Sequence, residues 1–566
     1  MIKKFSGNNY KAFEEFDLEF KPLTILLGSN STGKSAIVNS LLMLSQSSDK
    51  GILSESPLRI NGNKTGMGEA LNIITDKNSS KSVSFCFYLD EDEKTDSLVE
   101  SFNQSRFSLV DVLLYASFHV ARQVKAFFPT SKKITNILKE TDSHMAIRSG
   151  DRLRVVGKDF IKNFRSLLGY YRKLPMEEQE RTDHLFGSNI NNFLVKASLV
   201  KILDCFDQIL SIAPVEFCPV CFKYSFSYDA KSKNLKVSSY EQINRAGKTI
   251  FKFVVDKDSV YTFESGVYEA HALNRSKKDI IDKISQSSFS ICKEGVEPVY
   301  SGWGLSFTKN SENPFAALFL SQLAMSSSHL LSQLSQQKIN HVSPLRAFPQ
   351  RYYLLDKSIH HKKLNALDGT ELAEILKNNP SIRKNINILL APFNIGIDVE
   401  KVNDIIHKIV VTQDSVRLEL TDVGFGISQV LPILVQAYLS PERSLTIIEQ
   451  PEIHLHPNMQ AWLTDALIDI AIVQNKRFLI ETHSDALIRR VRLRILDSAS
   501  ALSDDDVKIY HLYRSEVKNR TLLEEIPINS DGDIKWPLDF MDAEIKDTVE
   551  IQRLKSEKAA QNTMKG

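Results

Sequence analysis

The stretch Gly28-Ser29-Asn30-Ser31-Thr32-Gly33-Lys34-Ser35 decides how this chain is read. A short apolar run, Thr24–Leu27, precedes it, and an apolar helical segment, Ala36–Leu44, follows. Strand, glycine-containing loop, helix is the setting in which Gly-x-x-x-x-Gly-Lys-Ser cradles phosphate. Backbone N–H groups of the loop and of the helix start point at the anion. Gly28 and Gly33 permit the tight backbone, and Ser29 to Thr32 line the cradle. Lys34 neutralises β- and γ-phosphate charge, and the Ser35 hydroxyl ligates Mg²⁺. The competing reading, a chance glycine-rich turn, does not account for the Lys-Ser ending at a helix start.

The other half of a nucleotide site lies far downstream. Leu445-Thr-Ile-Ile448 is an apolar strand running into Glu449-Gln450-Pro451-Glu452 and then Ile-His454-Leu-His456-Pro457. Acids at the end of such a strand form a Walker B element, whose carboxylate holds the Mg²⁺ shell, here Glu449. Phe478-Leu-Ile-Glu481-Thr482-His483 is a second buried strand ending in polar residues, and His483 is placed to contact a γ-phosphate. Upstream, Gly424-Phe-Gly426-Ile-Ser428 opens a helix, a second anion-binding geometry. A lone His after a strand is usually structural, and a lone Gly-x-Gly turn says little. Their order after a complete phosphate loop gives them weight.

These pieces together resemble ABC-type ATPases. The wording EQPEIHLHP, with ETHSD after it and DVGFGISQVLP before it, is similar to the stand-alone branch related to OLD nucleases and RecF. Ser343-Pro-Leu-Arg346-Ala-Phe-Pro-Gln-Arg351 and Asp531-Gly-Asp-Ile-Lys-Trp536 fit the same branch. Within it, the PtuA ATPases of Septu and retron anti-phage defence are the family most similar. The resemblance covers about residues 1–90 and 300–540. It implies an α/β fold, an ABC-ATPase head with an inserted, mostly α-helical arm. The expected divisions are 1–96 and 301–545 for the head, 97–300 for the arm and 546–566 for a polar tail. It also implies ATP and Mg²⁺ as cofactors, with Gly424, Gly426 and Ser428 completing a second subunit's site. The implied partners are a separate HNH nuclease and, in a retron, a reverse transcriptase with its RNA–DNA product.

One departure bears on mechanism. The usual Walker B pair is Asp-Glu, whereas this chain has Glu449-Gln450. An amide is no general base, although a Gln can orient water. Glu452 is then the candidate base, and slow hydrolysis is expected, with ATP mainly closing a dimer.

Composition sets the outer limits. The 566 residues carry 71 Lys+Arg and 69 Asp+Glu, so nothing in the overall charge demands a nucleic-acid or membrane surface. Five scattered cysteines, no apolar leader and no membrane-length apolar run lead to the expectation of a cytoplasmic protein. Charge is local instead. Residues 121–173 hold 13 Lys/Arg against 4 Asp/Glu, interleaved with Phe127, Phe128, Phe164, Tyr170 and Tyr171. Arg152, Arg154, Lys158, Lys162 and Arg165 are candidates for gripping nucleic acid, with a solvated helical face as the plain alternative. Arg489, Arg490, Arg492 and Arg494 form a second basic cluster, with DNA or head acids as the alternative partners and the structural role preferred.

Cys218-Pro-Val-Cys221 lacks the second ligand pair of a structural zinc site. Asp504-Asp-Asp506 is a fragment of a Toprim nuclease signature, but with 83 residues after His483 a Toprim domain is not expected here. Two other readings stay open. One is a RecF-like repair ATPase that binds DNA directly; the other, less complete in its motifs, is a self-sufficient OLD-like nuclease.

Overall fold

The computed structural model describes residues 1–49, 55–91, 93–147, 158–186, 194–195, 198–296, 313–346, 348–354, 371–515, 517, 519–536, 547 and 549–556. The chain folds as two units. One comprises residues 1–49, 60–78 and 333–566, and the other residues 50–59 and 79–332.

The first unit is built on a six-stranded sheet. Its strand order is Arg520–Ile526, Val507–Ser515, Leu23–Gly28, Arg477–Glu481, Leu445–Glu449, Ile339–Val342. All neighbouring pairs are parallel except the first, which is antiparallel. The central strand LTILLG is buried at every position. Such a continuous apolar run is what a parallel strand covered on both faces requires. The helices Phe425–Leu439, Pro457–Val473 and Asp485–Leu496 supply much of the cover, through Leu434, Leu467, Ile488 and their neighbours in one core.

Sequence periodicity places most of these elements, with some additions from the structure. The N-terminal pair is an antiparallel hairpin, Ile2–Tyr10 with Phe13–Glu19. The Val507 strand is followed by a further strand, Arg520–Ile526, which periodicity did not reveal. A smaller antiparallel sheet centres on Ile406–Gln413, flanked by Ile395–Lys401, Val416–Glu419 and Tyr353–Leu354. The segment 58–82 forms 3-10 turns and an isolated Asn61–Gly66 bridge.

The second unit combines a helical part with an antiparallel meander. The meander runs Val83–Leu89, Pro219–Asp229, Asn234–Asn244, Thr249–Val255, Tyr261–Glu264, each strand pairing with the next. Its aromatic face is dense, with Tyr224 4.8 Å from Tyr240 and Phe251 4.8 Å from Phe319, ring centre to ring centre. The helices include Glu93–Phe127, Lys132–Met145 and Lys158–Tyr171. This unit is wider than the 97–300 arm expected from sequence. It takes in the Val83–Leu89 strand and most of the Pro314–Leu334 helix.

Candidate nucleotide site

The phosphate loop joins the central strand to the Lys34–Ser47 helix. Three residues in it have left-handed backbones: Gly28 at φ 146°, Ser31 at 67° and Gly33 at 104°. A Cβ on Gly28 would stand 2.4 Å from the Leu512 carbonyl oxygen, so only glycine fits there. Gly33 caps the helix, and the Thr32 hydroxyl donates to the Ser29 carbonyl (2.8 Å), bracing the loop. Lys34 is 4% exposed and donates to the carbonyls of Gly28 (2.8 Å) and Ser29 (3.0 Å). Burial lowers its pKa, an effect that the nearby Glu481 and Glu452 oppose. Ser29, Asn30, Ser31 and Ser35 stand at the surface.

Register brings the acids together. Glu449 and Glu481 are direct partners at the carboxyl ends of adjacent parallel strands, with Leu26 of the central strand opposite Glu481. Glu481 Oε1 lies 3.9 Å from Lys34 Nζ. Burial, then the neighbouring Glu449, pushes the Glu481 carboxyl up to about 7. Glu449 Oε1 lies 2.6 Å from His341 Nε2, on the Ile339–Val342 strand. Arg346, 7% exposed, donates to the carbonyls of Glu449 (3.0 Å) and Gln450 (2.9 Å). These bonds secure the end of the Walker B strand. Gln450 itself has φ 45°, and its N–H donates to the Glu481 carbonyl (2.7 Å).

Glu452 is engaged on both carboxylate oxygens. The Thr482 hydroxyl donates to Oε2 (2.8 Å) and the His483 backbone N–H to Oε1 (2.7 Å). Glu452, the candidate base, thereby ties the Walker B turn to the His483 segment. The His483 side chain is exposed, and its pKa is lowered by partial burial and then by the Lys34 charge, against Glu452. Sequence reasoning names Glu481 and Arg346 within motifs without giving them a role, and does not name His341. The doublet Glu481-Thr482 and the strand-then-Arg pattern His341…Arg346 were the available signals.

The Gly424 turn caps the Phe425–Leu439 helix, and open space surrounds the Cβ position of Gly424. Ser428 is 3% exposed and faces the protein interior, which separates it from the surface that Gly424 presents. Of the basic candidates, Arg152 and Arg154 lie outside the described residues. Lys158 opens the Lys158–Tyr171 helix, and Lys162 and Arg165 are exposed on it. The aromatic residues among them mostly serve packing: Phe164 and Tyr171 are buried, and Phe128 packs on Tyr170 with ring centres 5.4 Å apart.

The arginines after His483 do pair with acids. Arg490 and Arg494 both hold Asp465, Arg489 meets Asp485, and Arg492 meets Asp533 and the Gly532 carbonyl. Asp506 accepts from the Ser503 N–H (2.9 Å) and hydroxyl (2.6 Å), a local cap within its turn. Cys221 lies beside Cys86, Sγ to Sγ 3.4 Å. Among the described residues no helix is long and apolar enough to cross a membrane.

Residues 1–488 match the AAA ATPase domain family AAA_15. The chain belongs to this family of ATPases. No curated protein matches it. Solved structures similar to it include the SMC head domain from Thermotoga maritima, at 7% identity and TM-score 0.31, covering 93% of this chain and 99% of that one. Another is an Smc head domain with an extended coiled coil, bound to the C-terminal domain of ScpA and derived from Pyrococcus furiosus. It has 10% identity and TM-score 0.32, covering 97% and 99%. At such scores these superpositions add nothing to the assignment, which rests on the family match, the phosphate loop and the sheet order.

Proposed function

We propose that this AAA_15 ATPase is the ATP-binding regulator of an antiviral complex, similar to PtuA, that controls a separate HNH nuclease. The observation that supports its nucleotide chemistry best is the convergence of Lys34, Glu449 and Glu481 beside the Glu452 clamp. Hard oxygen donors beside a buried lysine suit a nucleotide with a divalent cation, and that cation polarises phosphate oxygens when bound. Ser35 and Glu449 would hold it.

In this reading Lys34 and the loop N–H groups bind the phosphates. Gln450 orients water without accepting its proton, so hydrolysis is slow. Glu452 keeps the His483 segment docked against the Walker B turn, so that His483 follows the γ-phosphate position. Two copies close on ATP, each offering its Gly424–Gly426 turn to the other. That closure is the signal passed to the nuclease, with a reverse transcriptase and its RNA–DNA product as further partners in a retron. The PtuA-like part of the proposal draws on the EQPEIHLHP and ETHSD wording.

The test is to purify the chain from its native locus with neighbouring genes present. Co-purification of an HNH nuclease, lost in Lys34→Ala or on ATP depletion, is the expected result. A chain that emerges alone, and whose hydrolysis is stimulated by DNA, would replace this reading with a RecF-like repair ATPase.

A further inference from the structure

We propose that Glu481 is a second carboxylate ligand, beside Glu449, for the divalent cation that accompanies the nucleotide. The inference rests on the reading of this site as one for ATP with a divalent cation. Adjacent parallel strands in register place the two residues side by side at the same sheet edge. Their side chains are 13% and 5% exposed. Two carboxylates so close and so little hydrated repel one another unless a cation or a proton lies between them.

The donors around the pair are engaged at atoms other than Glu481 Oε2. His341 meets Glu449. Arg346 donates to backbone carbonyls. Lys34 directs hydrogen bonds at Gly28 and Ser29 and stands 3.9 Å from Glu481, a loose pair. Glu452 is occupied by Thr482 and His483. Among the described residues no hydrogen-bond donor faces the buried Oε2 of Glu481. That atom is an orphaned hard-oxygen donor next to the Walker B carboxylate.

The stoichiometry fits Mg²⁺ delivered with a nucleotide. Such sites use one or two carboxylates, phosphate oxygens and waters. Among the described residues no group of three or more His, Cys, Asp or Glu can hold a metal by itself, so phosphate must complete the shell. Glu449 and Glu481, on neighbouring strands, supply the two carboxylates that such a site uses.

The test uses the full chain and a fluorescent ATP analogue titrated with Mn²⁺ in metal-depleted buffer, with Mn²⁺ paramagnetic resonance as a direct readout of the bound ion. In Glu481→Gln the Mn²⁺ concentration for half-maximal analogue binding should rise on the order of 10–100-fold. Metal-free analogue binding should be no weaker than in wild type, because a negative charge has been removed. Glu481→Asp, which draws the oxygens back by one methylene, should shift the midpoint in the same direction. Thermal melting confirms that each variant is folded. A wild-type Mn²⁺ midpoint in both variants would overturn the inference and assign Glu481 to a proton-sharing pair with Glu449. Wild-type protein that binds no analogue at any Mn²⁺ concentration would overturn the ATP reading itself, and this inference with it.

Discussion

Replacing Glu452 by Ala and by Gln separates a clamp from a catalytic base. Ala deletes both acceptors at once. The Thr482 hydroxyl is fully buried and loses a 2.8 Å bond to a charged partner. A hydrogen bond to a charged group contributes about 1.5–3 kcal/mol. The His483 N–H loses a 2.7 Å bond at an exposed residue, where water replaces most of it, adding less than about 1 kcal/mol. The expected loss is therefore roughly 2–4 kcal/mol in Glu452→Ala.

Gln keeps the shape. Its carbonyl oxygen accepts the His483 N–H, and its amide N–H donates to Thr482 Oγ1, which already accepts from the Ser484 N–H (2.9 Å). The cost should stay below about 1.5 kcal/mol. Thermal melting of the two variants reads this difference directly. Steady-state ATP hydrolysis reads the chemistry. A clamp predicts Glu452→Gln turnover within about threefold of wild type, whereas loss of a general base costs about 10²–10⁴-fold. A Gln variant that melts like wild type but loses turnover by that margin would refute the clamp and make Glu452 the base.

Other consequences follow from the same geometry. Gly28→Ala forces a Cβ to 2.4 Å from the Leu512 carbonyl, so it should lower the melting temperature and abolish binding of a fluorescent ATP analogue. Lys476 is 3% exposed and donates to the carbonyls of Ala437 and Tyr438; burial pushes it down to about 8. Between about pH 8 and its usual value of 10.5 the unfolded chain holds a proton that the folded chain has released. Stability should therefore rise with pH across that window, and Lys476→Met should flatten the rise in a pH series of melts. Asp465→Ala takes the acid from Arg490 and leaves Arg494 with Asp497 alone, so it should destabilise the fold by about 1–3 kcal/mol in denaturant unfolding while leaving retention on a nucleic-acid column unchanged.

The parts of the site that follow from local rules are legible in the sequence. Gly28 to Ser35 is a contiguous motif whose geometry is dictated by backbone sterics. The strands at Leu445 and Arg477 are apolar runs of the kind a buried parallel sheet demands. Relations between segments far apart in sequence were less accessible. The alignment of Glu449 with Glu481 is a matter of register between two strands, and the meeting of His341 with Glu449 adds a third. Glu452 stands two residues from Gln450 along the chain. Its hydrogen bonds run to residues 30 and 31 positions away, which the sequence alone does not show. Ser428 was grouped with Gly424 by adjacency, yet one helical turn carries it inside. The Arg520–Ile526 strand was hidden because its partly exposed pattern gives no clear alternation.

The most direct test of the account is equilibrium binding of a fluorescent ATP analogue to the full chain with Mg²⁺, compared with Lys34→Ala. Lys34 is buried between the Gly28 and Ser29 carbonyls and the Glu481 carboxyl, where it faces the phosphate cradle. Saturable binding by the wild type, competed by ATP and lost in the folded Ala variant, is the predicted result. Equal binding by both proteins, or none by either, would contradict it.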